Sequence, residues 1–195
     1  MTTTQDKADL QRYLQTARDA LLWKLDGLSE YDIRRPMTPT GTNLLGLVKH
    51  MIGVEYGYFG PVFGRAVHDL PSWLRSDEPN ADMWATSEES REDIVDAYRR
   101  AWVFADLTIS ELDLDSPGLV KPWPEERRDV TLHQILVHVV AEIHRHAGHA
   151  DVVREMIDGS AGLRPDYSNL GSSDQAWWAD YCDHLEKVAR SADHA

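Results

Sequence analysis

A single cysteine, Cys182, stands in the 195 residues, so no intramolecular disulfide and no cysteine-rich structural zinc site can form. One thiol also has no resolving partner for redox chemistry, and its place in a C-terminal helix marks it as a small apolar filler. Basic residues are scarce: 20 Lys and Arg face 33 Asp and Glu, a formal net charge of -13. That balance excludes a nucleic-acid binder, which needs a basic face for phosphates, and disfavours anionic membranes. No uncharged apolar run approaches the length that crosses a bilayer. The opening MTTTQDKADLQRY is polar with early acids, unlike a signal or transit peptide, so a cytoplasmic location is expected. Runs of alternating residues that would make convincing strands are missing too.

What is present is ordinary for a globular protein, at 42% hydrophobic and 27% charged residues. The length suits one domain over residues 1–195 with a real core. Helical spacing dominates. Leu10, Leu14, Ala17, Leu21, Leu25 and Leu28 recur at fours and threes and predict a first helix from about Lys7 to Leu28. A proline- and glycine-bearing connection follows, with Thr42 as the cap for a second helix over about Asn43 to Phe59. Arg34 and Arg35, just before it, read as surface residues or as holders of an anionic substrate. Residues 60–87 lack periodicity and carry Trp73 and Trp84, as expected of a long crossover packed on the body. A third helix is predicted from about Glu88 to Leu112 and a fourth from Thr131 to Gly159. DQAWWADYCDHLEKVARS reads as a short last helix that Trp177 and Trp178 dock on the rest. The fold class expected is all-α: a four-helix bundle with a long crossover connection and a short C-terminal helix.

The fourth helix carries the chemistry. At about 100° per residue, Leu132, Ile135, Leu136, Val139, Ile143, Ala150 and Val153 share one sector, and His146 points into it. Glu142 lies at the sector's edge one turn earlier, His138 and His149 flank Glu142, and His133 and His144 point away. A carboxylate and an imidazole on a buried stripe are costly unless compensated, and a divalent metal compensates both. His50, next to Leu47 and Val54 on the second helix, also faces inward and supplies a third ligand. One carboxylate and two imidazoles leave positions open for water or substrate, as metal catalysis needs. The same residues also fit a plain hydrogen-bonded pair with His50 as a core histidine. His149 stands as an alternative ligand, and His149 and His138 as proton carriers or supporting partners.

The pair GTNLLGLVKHMIGVE and AEIHRHAGHADVVREMIDG, with LSEYDIRRPMTPTGT and the closing AWWADY, resembles the DinB-like family across nearly the whole chain. The closer similarity is to its actinobacterial branch of mycothiol-dependent members. That resemblance implies a four-helix bundle with a divalent metal, zinc first with nickel or iron as alternatives, held by three side chains. Many members use three histidines, while the mycothiol-dependent maleylpyruvate isomerase branch has His, Glu, His. Carried over by position, the metal ligands are His50, Glu142 and His146. The isomerase adds a C-terminal domain that this sequence lacks, so the stand-alone thiol transferases are the closer analogy. The implied partners are mycothiol as co-substrate, a small electrophile and, as is common in such families, a second copy of the chain in a homodimer.

Two other functions share these residues. Two histidines and a carboxylate also form the facial set of non-haem iron oxygenases. A metal-stabilised binding or stress-response module without turnover would need the same three ligands.

Overall fold

Apolar spacing places the long helices where the sequence predicts them, and capping chemistry sets their ends. The computed structural model describes residues 4–68 and 70–193; the outermost residues of the expected 1–195 domain lie outside that range. Helix α1 spans Thr4–Leu22, and its seam of Leu14, Ala17 and Leu21 is fully buried. The helix stops short of Leu28 because its last turn tightens into a 3-10 segment, Trp23–Leu25. That turn carries Lys24 into the interior, where it meets Asp151 at 2.8 Å and donates to the Gly162 carbonyl. Burial lowers the pKa of the Lys24 ammonium, and the Asp151 contact opposes that shift.

The connection that follows contains a short helix α2, Glu30–Arg34, capped by Ser29. Arg34 is committed to structure: its guanidinium donates to the carbonyls of Thr86 and Glu89 at 2.8 Å each. Helix α3, Leu44–Phe59, is capped by Asn43 rather than Thr42; the Asn43 side chain accepts from the Gly46 amide at 2.7 Å. Helix α4, Arg91–Glu111, begins later than Glu88, with Ser90 as its cap. Glu89 stays outside it and binds Lys49 and the Thr86 amide.

Two strands that the sequence did not announce, β1 (Pro117–Leu119) and β2 (Asp129–Thr131), form an antiparallel hairpin with Gly118 opposite Val130. Three residues each are too few to show a period. Gly118 allows the hairpin to seat against Val62 and Phe63, whose side chains a Cβ there would strike at 2.9 and 2.8 Å. Helix α5 then runs Leu132–Asp158. Thr131 and Gln134 close its start as a capping box, and Gly159 ends it in the left-handed region at φ 79°.

Helices α1 and α5 pack together, as do α3 with α4 and α3 with α5. One ion pair crosses the core: Arg18 of α1 donates two bonds to Glu55 of α3, at 2.7 and 2.6 Å, with side chains 1% and 0% exposed. Burial alone would lower the pKa of Arg18, but Glu55 and Asp106 outweigh it and raise it, so the guanidinium stays charged. Removing one partner of such a pair costs about 3–5 kcal/mol.

The last helix, α6 (Gln175–Ala192), has no buried residue. Trp177 stacks on Tyr181 within α6 instead of docking it, and only Trp178 reaches a cleft shared with Trp23 and Arg154. Cys182 is exposed there, not an apolar filler. Among the described residues no helix is long and apolar enough to cross a membrane.

Candidate metal centre

The site begins with the antiparallel pairing of α3 and α5. His50 on α3 lies against His146 on α5, with ring centroids 5.0 Å apart. Eight residues further along α3, Tyr58 meets His138, eight residues earlier on α5, at 4.7 Å. Residues at four- and eight-residue intervals therefore face each other across one seam, about 12 Å long at 1.5 Å per residue. Glu142 stands midway on the α5 side.

One donor atom each from His50, Glu142 and His146 lie within 4.8 Å of one another. Two ligands of one ion at bonds of about 2.1 Å are at most about 4.2 Å apart, so the three groups stand close to that span and small side-chain rotations bring them onto one ion. They are half-buried, with His146 12% and Glu142 30% exposed. His146 Nε2 lies 3.1 Å from Glu142 Oε1, and its Nδ1 is buried with no hydrogen-bond partner. Burial lowers the pKa of His146, and the neighbouring His50 adds to that effect. The imidazole is thus held in the neutral form that donates a lone pair.

His50 is aimed from outside α3. Its Nδ1 lies 2.5 Å from Asp82 Oδ2, which leaves Nε2 as the free donor. Asp82 sits in the crossover, and contacts from α3 and its N-cap hold that segment in place. The Asn43 side chain donates to the Met83 carbonyl at 3.1 Å. The buried Lys49 donates to the Trp84 carbonyl at 2.8 Å and lies 4.8 Å from the centroid of the Trp73 ring. Gly46 leaves room for the Met83 carbonyl, which a Cβ there would meet at 1.8 Å. Sequence reasoning missed Asp82. An acid in a segment with no period carries no orientation signal; the only local hint is Asn80 at φ 60°, marking a tight turn just before it.

The donor set fits a divalent cation: one carboxylate, one neutral ring with an orphaned nitrogen and one ring whose other nitrogen is already bound. The two further candidates lie on either side of it. The exposed ring of His149 is 5.4 Å from that of His146. His138 is about 6 Å of helix rise from Glu142, packed edge-on against Tyr58 and Trp123. Neither belongs to the converging trio.

The sequence model of a family described as mycothiol-S-transferase matches residues 9–159. That stretch holds all three converging residues and ends at the glycine that closes α5. No curated protein and no solved structure matches the chain.

Proposed function

The chain belongs to the mycothiol S-transferase family, and on that premise we propose that it transfers a low-molecular-weight thiol, mycothiol, to a small electrophile at a divalent-metal site. His50, Glu142 and His146 are the metal ligands. A divalent cation bound there supplies net positive charge that lowers the pKa of a thiol or water and favours the thiolate near neutral pH. Zinc suits the donor set first, with nickel and iron as alternatives.

The chain's own residues do the rest. Asp82 fixes the tautomer and orientation of His50. Glu142 offsets part of the charge. His149, exposed beside His146, takes the thiol proton to solvent. His138 supports the far end of the seam. In the overall reaction a carbon–sulfur bond forms while the electrophile's leaving group departs with the electron pair of the bond that breaks, and the thiol proton is released. No protein nucleophile is required, in keeping with a lone cysteine on α6. The cytoplasm, where low-molecular-weight thiols stay reduced, is the proposed compartment.

The observation that carries this reading is the meeting of His50 with Glu142 and His146, about ninety residues apart in sequence, with one donor atom from each within 4.8 Å of the others. The test is His146→Ala. Wild type should hold one metal per chain by elemental analysis and consume mycothiol with an electrophile panel, and a chelator should abolish that turnover. The variant should lose both metal and turnover; full metal content after the substitution would overturn the ligand assignment. Oxygen uptake by the iron-loaded protein without thiol consumption would favour the oxygenase reading instead.

A further inference from the structure

Beyond the ligand trio, a cavity of about 500 Å³ lies between α3 and the β1–β2 hairpin, with walls that include Tyr58, Val62, Val120 and Trp123. Gly53 and Gly57 line it from α3. They follow His50 by three and seven residues and so share its side of the helix. Gly53 is about 4.5 Å of helix rise from His50, so the cavity starts about one turn along α3 from that candidate ligand. Tyr58 and Trp123 both pack edge-on against His138, with ring centroids 4.7 and 5.0 Å apart, and lie 6.0 Å from each other. The hairpin that carries this wall is tied down: the Val120 amide donates to the Arg128 carbonyl at 2.8 Å and the Trp123 amide to the Val120 carbonyl at 3.0 Å.

Two glycines in one helix face are costly, at about 1 kcal/mol each relative to alanine. Their packing explains only one of them. A Cβ on Gly53 would meet Leu74 at 2.9 Å, whereas a Cβ on Gly57 would meet nothing within 4 Å. Gly57 is exposed and no protein neighbour requires the missing side chain, so its bare backbone lies at the open mouth of the cavity. Aromatic faces, aliphatic walls and a bare strip of backbone suit a flat apolar body.

We propose that this cavity is the electrophile-binding site, and that the protein's acceptor substrates carry a flat, apolar, aromatic-sized group seated over Gly57 against the edges of Tyr58 and Trp123. The proposal rests on the thiol-transfer reading for the word electrophile, but the cavity's selectivity is measurable without turnover. For an aryl chloride the balance is simple. The thiol sulfur bonds to the ring carbon, the carbon–chlorine bond breaks with its electron pair, and chloride and a proton are released.

The experiment uses the full chain loaded with zinc and the unreactive probe 1,3-dinitrobenzene, followed by equilibrium dialysis. Wild type should bind one probe per chain saturably, and Gly57→Leu should weaken binding at least about ten-fold, or about 1.4 kcal/mol, with zinc content retained. Gly57→Ala, the milder filler, should weaken it less; it keeps the test open should the leucine variant fold poorly. Absent wild-type binding, or equal binding by wild type and both variants, overturns the proposal. A second arm compares mycothiol transfer to 1-chloro-2,4-dinitrobenzene and to the small iodoacetamide. The ratio of the two rates should fall about ten-fold or more in Gly57→Leu; an unchanged ratio overturns the cavity's role. Probe binding that depends on Gly57 with no thiol transfer to either compound would sink the transferase reading and leave the cavity assignment standing.

Discussion

Asp82 is the residue through which the crossover acts on the candidate metal centre. Its carboxylate holds one nitrogen of His50 and so presents the other. Replacing it with asparagine keeps the size but exchanges the charged acceptor for a neutral amide. Asp82→Asn is expected to weaken zinc affinity about 10- to 100-fold, read by competition with a chromophoric chelator, while the fold is retained. Equal affinity would mean that the ring is oriented by something else. His50, Glu142 and His146 were legible in the sequence because each lies on a long helix whose apolar spacing says which way it points. Asp82 was not, because only a folded crossover brings it to His50. The partners of Arg34 were hidden for a related reason: the Thr86 carbonyl lies in the segment with no period and the Glu89 carbonyl at its junction with α4.

Among the elements, α3 carries most of the consequence. Gly46 faces the Met83 carbonyl so closely that a Cβ would overlap it at 1.8 Å. In an open helix, Gly→Ala stabilises by about 1 kcal/mol; here the backbone contact reverses the sign. Gly46→Ala should therefore lift the crossover and lower zinc affinity alongside Asp82→Asn, although Gly46 is not itself a candidate ligand. Helical content by circular dichroism should persist, and undiminished zinc affinity would refute the link. The four long helices were readable from their seams, and Thr131 with Gly159 set α5 within a residue. The five-residue α2, the three-residue strands and the 3-10 end of α1 were not. Each is too short for a period to register, and each is fixed by contacts distant in sequence, such as Lys24 with Asp151.

At the scale of the whole molecule, Arg154 joins the end of α5 to the turn after α1. It donates to the carbonyls of Lys24 and Asp26 at 2.9 and 2.8 Å and holds Asp158 with three hydrogen bonds. The Arg154 hydrogen bonds lower the pKa of Asp158 below its ordinary value of 3.8. A lowered folded-state pKa contributes stability in full above the ordinary value and loses it as pH falls through the lowered one. Urea denaturation midpoints should thus show a gap between wild type and Asp158→Asn at neutral pH that closes only in that acidic window. A constant gap throughout would mean that the asparagine acts through shape, not charge. The domain's helical class was legible from composition and spacing, but the exposure of α6 was not, since its Trp177 and Trp178 look like docking residues in any one-dimensional reading. The crossover's grip on α3 bears on protein engineering. Copying the three candidate ligands onto another bundle would import the donors without the brace that aims one of them. Trimming residues 64–86 from this chain would deprive the interior Lys49 ammonium of the Trp84 carbonyl and the Trp73 ring and leave it only Glu89. The apparently dispensable length between α3 and α4 therefore belongs in any minimal version of the protein.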